Sequence, residues 1–273
     1  MTDPSAPRAT ITDFACERID FTCLEVRGSA SADGVSTRDA GLGVDHIGSL
    51  DLTNLTVTDS GIGIQYADGS SGSTQVVNLT NLQTGLVVRG ATSVSASQVR
   101  GSGLGLLVDA VSTSGFTLSD ANVSDIEVLL LGTDVLDLTF SAITVSSAPS
   151  GGSTTSPWAV DVRNEGSFRL QDSNLSGFSG GIRLTGSGSH ILDGVDLDLS
   201  GAFIDASGTG SLLVEDGTWV TSGDGFGHLS SLTSEWRQLS MSGGTAVESG
   251  LEITGGQHSF TTVEVGRQYN LAD

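Results

Sequence analysis

Three consecutive blocks of 22 residues, starting at Ser167, align without a gap: SFRLQDSNLSGFSGGIRLTGSG, SHILDGVDLDLSGAFIDASGTG and SLLVEDGTWVTSGDGFGHLSSL. Leu170, Leu192 and Val214 are equivalent, as are Leu175, Leu197 and Trp219, and Ile182, Ile204 and Phe226. The frame runs backward through Phe116, Leu138 and Phe168, through Leu118, Phe140 and Leu170, and through Val123, Val145 and Leu175. Leu52, Leu55, Val57 and Ile64 keep the same offsets further upstream. A unit this short cannot bury an apolar face alone, so the chain must stack its units on one another.

Inside each block the apolar period is two, as in Leu50-Asp51-Leu52 and Leu136-Asp137-Leu138. That period specifies strands, and Gly, Ser, Asn and Asp break them into short runs with turns between. Each strand then pairs with its equivalent one coil later, at about 4.8 Å, and the inward residues form continuous columns. The expected fold is all-β, a single-stranded right-handed parallel β-helix of 11–12 coils. Residues 9–265 form the helix, with tails at 1–8 and 266–273 and a loop insertion of roughly eight residues at about 146–158. The coil near 74–92 reads as shorter than the others by two or three residues.

The recurring Leu-x-x-(Leu/Val)-x-(Val/Leu) run followed by a Gly-Ile/Leu-x-Leu element resembles the repeat of the pectate-lyase-like β-helix superfamily. GGIRLTG at 180–186 and SGIGIQY at 60–66 are the nearest matches. The resemblance implies a fold and does not by itself imply a reaction. Lyases of that superfamily use Arg or Lys as base beside acidic Ca²⁺ ligands. This chain has no Lys, and Arg100, Arg163, Arg169, Arg183 and Arg237 show no obvious clustering with the patch of Asp residues around Asp196. The Asn-Thr-Asp, Asp-Asp, His-Gly and Arg-Ile-Lys motifs of the hydrolases are absent.

Charge excludes further classes. The 32 acidic residues against 11 basic ones give a net charge of −21, which opposes nucleic acid and anionic membrane surfaces alike. No apolar run approaches the roughly 18 residues that a membrane span needs. Asp outnumbers Glu 23 to 9, a bias that suits solvation in high salt. MTDPSAPRAT has neither a positive n-region nor an apolar h-region. The expectation is a segment of a longer exported chain, extracellular or at the cell surface, with the cytoplasm as the alternative.

Candidate site residues come from the repeat frame. Asp196 and Asp198 alternate with inward Val195, Leu197 and Leu199, so both point outward, about 7 Å apart. Asn174 and Thr218 share the Asp196 column, while Asp172 and Asp216 occupy an adjacent one. Such a face can bind Ca²⁺ through oxygen, supply paired carboxylates for glycan cleavage, or simply be solvated. No catalytic residue and no resident metal are assigned. Trp158, at the end of the insertion, is a binding candidate because loops on one face of a solenoid often bind. Cys16 and Cys23 can form a disulfide that closes the first coil, or remain two buried thiols. Asn54, Asn78, Asn122 and Asn174 stand in glycosylation sequons, Asn122 and Asn174 in one outward column. His228 reads as an inward or turn residue.

The expected function is a non-catalytic acidic module of a surface or secreted protein: a structural spacer, adhesin or assembly unit. Its partners would be other modules, copies of itself or glycans. The alternatives are a polysaccharide-binding or polysaccharide-cleaving β-helix, and a trimeric fibre or spike domain.

Overall fold

The computed structural model describes residues 8–147, 158–222, 227–243 and 251–266. These residues form sixteen strands and no helix, and every strand pair is parallel. The chain is a parallel β-solenoid of about 11 turns. The N-terminal half contains the short β1 (Ala9–Thr12) and then β2 (Ala15–Tyr66), β3 (Ser71–Arg89), β4 (Ser93–Val111) and β5 (Ser114–Thr133), long strands that pass round corners without breaking. The C-terminal half divides into two stacks. One comprises β6 (Asp137–Ser147), β8 (Ser167–Ser176), β10 (Ser189–Leu199), β12 (Ser211–Thr221), β14 (Thr233–Gly243) and β16 (Gln257–Gly266). The other comprises β7 (Trp158–Asn164), β9 (Gly180–Gly186), β11 (Ile204–Gly208), β13 (Gly227–Ser230) and β15 (Leu251–Thr254).

Register matches the repeat. Leu170, Leu192 and Val214 pair in line, as do Leu175, Leu197 and Trp219. The step is 22 residues through most of the rod and shortens to 21 between Ala9 and Ala30. It lengthens to 24 between Thr233 and Gln257. Asp137 pairs with Ser167, a step of 30, so eight extra residues do enter there; residues 148–157 of that insertion lie outside the described residues.

Two details of the register correct the sequence reading. The coil at 74–92 keeps the full 22, with Ser71 paired to Ser93 and Arg89 to Val111. Its apolar spacing looks short because Thr74 fills the inward slot between Leu52 and Ala96, buried with its hydroxyl bonded to that of Tyr66. Ile204 pairs with Gly227, a step of 23, where the 22-residue frame points to Phe226, which lies outside the described residues.

The corners have a common chemistry. Asp13, Gly34, Asn54, Val76, Gln98 and Asp120 hold positive φ one coil after another, and the row continues through Ala142, Asp172, Gly194, Asp216, Gln238 and Thr262. A second row contains Arg18, Asp39, Asp59, Asn81, Gly103 and Asp125, and a third contains Gly69, Gly90, Ser112 and Asp134. Left-handed backbone favours Gly, Asn and Asp, whose short polar side chains bond locally. Eight of the Asp residues stand at these positions, so the excess of Asp over Glu is partly turn chemistry.

The core is one apolar column system from Leu24 to Met241. Aromatic side chains stack along it, Phe116 on Phe140 on Phe168, and Phe203 on Trp219 on Trp236, with centroids 5.5–5.9 Å apart. The indole N–H of Trp219 donates to the Val195 carbonyl (2.9 Å) and that of Trp236 to Ser234 Oγ (2.8 Å), which satisfies their polar ends. Cys16 and Cys23 are joined in a disulfide in the first coil, Cα atoms 6.0 Å apart, and both are partly exposed.

Candidate acidic groove and a charged row

The αL corner at Asp172, Gly194, Asp216 and Gln238 interrupts strand pairing and opens a groove of about 480 Å³ on the outer surface. Asp196 and Asp216 line it together with Thr218, Gln238, Ser240 and Glu264. Asp196 faces outward, as the strand period requires, and its Oδ1 accepts the backbone N–H of Thr218 at 2.8 Å. One carboxylate oxygen is thus committed to joining two coils. Asp198 also points outward, on the next row, paired in line with Ser176 and Val220. Asp172 stands two coils before Asp216, its carboxylate over the backbone of Gly194. Neither Asp172 nor Asp198 is among the residues lining the groove. Among the described residues no group of three or more His, Cys, Asp or Glu is arranged to hold a metal ion.

Trp158 is not part of this surface. It begins β7 in the other stack, paired in line with Gly180. The sequon asparagines are all exposed, and three of them share one row: Asn78, Asn122 and Asn174, with Arg100 and Thr144 between. Asn54 stands apart at a corner, its amide donating to Asp33 Oδ1 at 2.7 Å.

A second polar feature escapes inspection of local motifs. Asp161, Arg183, Asp205, His228 and Glu252 form one outward row on β7, β9, β11, β13 and β15. Asp161 is 5% exposed. Arg183 Nε donates to its Oδ1 at 3.0 Å and Arg163 Nη2 to its Oδ2 at 3.2 Å. Burial pushes the Asp161 carboxyl up, and the two guanidinium partners outweigh it, holding the group below the usual carboxylate range. The bond to Asp161 likewise holds Arg183 more firmly protonated. His228 is therefore an outward residue and not an inward or turn one. Its Nδ1 lies 3.4 Å from Asp205 Oδ1 and its Nε2 3.0 Å from Thr254 Oγ1. The 22-residue step already links 161, 183 and 205; a comparison restricted to the Asp196 face does not reach them.

The same axial pattern recurs elsewhere. Arg89 pairs with Asp109 (3.2 Å), Arg100 with Asp120 (3.1 Å), and Gln171 donates to Asp193 (3.1 Å). Asn81 donates to Asp59 and Ser167 to Asp137, each 2.8–2.9 Å and one coil apart. The outer polar groups thus form a second ladder along the rod axis, parallel to the backbone one. No protein-family model matches the chain, and a search of curated proteins returns no match.

Proposed function

We propose that the chain is an acidic structural module of a surface or secreted protein, a right-handed β-helix of the pectate-lyase-like kind that acts as a spacer, adhesin or assembly unit. The observation that carries this reading is the axial ladder. Arg100–Asp120, Asp161–Arg183 and the amide and hydroxyl bonds of Asn81 and Ser167 join successive coils at several levels of the rod. Side chains committed in this way stiffen a rod and are poorly placed to bind a mobile ligand. The −21 charge keeps such rods apart in solution and resists non-specific adhesion. The test is a panel of acidic and neutral polysaccharides, with calorimetry for binding and assays for reducing ends and unsaturated products. The expected result is no turnover; sustained release of either product overturns the reading.

A second reading rests on the groove. Asp196, Asp216, Glu264, Gln238, Thr218 and Ser240 offer acceptors and donors across several coils, the spacing of a polysaccharide subsite. Saturable binding of one glycan, abolished by Asp216→Ala, would select it over the spacer.

A further inference from the structure

Among the described residues, every coil except the first and last has its apolar floor covered by a neighbour. Ile253, Phe260 and Val265 of the last described coil stand in line with Leu229, Trp236 and Met241. Those three are buried, whereas Ile253, Phe260 and Val265 are 43, 43 and 55% exposed. They are the next floor of the core, and among the described residues no rung lies above them. At the other end, Ile19 follows the corner residue Arg18 and is 37% exposed. Ala40, Ser60 and Leu82 hold the same place in the next three coils and are at most 7% exposed.

The two ends suit each other. All described strand pairs are parallel, so the last coil presents the edge that each coil offers its successor, and the first coil the edge offered to a predecessor. Charge disfavours one alternative. Arg8, Arg18 and Arg27 lie in or beside the first coil among four carboxylates, and Arg8 and Arg27 are already paired, with Asp51 and Glu25. In residues 251–266 the Asp, Glu and Arg residues are Glu252 and Glu264 alone. Tail-to-tail contact would set glutamate against glutamate, and either like-to-like contact would reverse the strand direction, which head-to-tail contact preserves.

We propose that a second copy of this chain docks head to tail, its first coil seated on the floor of Ile253, Phe260 and Val265. The contact is heterologous and does not close, so it extends the rod. This rests on the assembly-unit reading above and names its partner. Net repulsion between copies is screened at high salt, where the Debye length falls to about 3 Å at 1 M.

Sedimentation and light scattering of the full chain at 1 M NaCl, across a wide concentration range, test it with two variants. Ile19→Glu blocks the head and Val265→Glu the tail. Wild type grows past dimer with concentration, each variant alone stays monomeric, and an equal mixture of the two forms a dimer and nothing larger. A melting temperature within a few degrees of wild type certifies that each variant folds; where one fails, Arg27→Glu or Phe260→Glu replaces it. A monomeric wild type overturns the proposal and assigns the ends another cover. Variants that still self-associate alone also overturn it, in favour of a lateral or symmetric contact. Either failure leaves the spacer reading intact, because a monomeric rod still separates its ends; that reading falls only to the polysaccharide panel.

Discussion

Two buried histidines make the rod sensitive to mild acid. His46 is fully buried in the core, edge-on to Tyr66 with ring centroids 5.9 Å apart, and neither ring nitrogen meets a hydrogen-bond partner among the described residues. His190 is 5% exposed, and its Nδ1 is likewise unpartnered. Burial lowers both to about 4; at His46 the Gly48 backbone opposes this without outweighing it. The unfolded chain titrates near 6.5, so between pH 6.5 and 4 it binds protons that the folded chain refuses. Stability is therefore complete above neutral pH and is lost as pH falls. At 1.36 kcal/mol per pH unit, each histidine removes about 2 kcal/mol by pH 5 and about 3 by pH 4. The pair reaches a large share of the roughly 5–15 kcal/mol that holds a typical domain folded. Urea unfolding at pH 7.5, 6 and 5 reads the effect before most carboxylates titrate. His46→Phe should remove about half of the pH slope. A wild type equally stable at pH 7.5 and 5, or a variant with an undiminished slope, refutes the argument.

Leu192→Asp places an unpaired charge in the core column between Leu170 and Val214 and should destabilise by more than about 3 kcal/mol. Asp196→Asn, on the outward row, should change stability by about half a kcal/mol or less; equal effects in chemical denaturation would contradict the register. Val76 is a β-branched residue at φ 55°, so Val76→Asn should raise stability by about 1 kcal/mol, read as a higher denaturation midpoint. Reducing the Cys16–Cys23 disulfide releases an eight-residue loop and should weaken the first coil by at most about 2.5 kcal/mol. Hydrogen exchange should then rise in residues 9–30 and leave the coils beyond Ser93 unchanged.

The repeat made the architecture legible because parallel pairing forces equivalent residues into line: Phe116, Leu138 and Phe168 align in sequence and pair in space. The same rule explains the outward position of Asp196 and the shared column of Asn122 and Asn174. What was not legible depends on exceptions to apolarity or to step length. Thr74 occupies a core slot because Tyr66 reaches across the coil to its hydroxyl, which local periodicity does not reveal. His228 and Glu252 lie 23 and 24 residues after their row partners, so a fixed step of 22 misplaces both. Of the four carboxylates picked from sequence, only Asp196 and Asp216 line the groove. An αL corner opens that groove, and φ cannot be counted from an apolar pattern.

The left-handed corners also determine which changes of length the molecule tolerates. Adding one whole unit re-creates every corner and every core row, so each rung again meets a neighbour of the kind it had. Adding any other number within a strand carries Asp or Gly off its corner and drives bulkier residues into a backbone conformation they resist. The eight-residue insertion is accepted because it enters between Asp125 and Gly177, where the neighbouring coils make a corner, and the step is 22 on either side of it. Length in this molecule is therefore quantised: it works as a ruler marked in coils, lengthened or shortened by whole divisions.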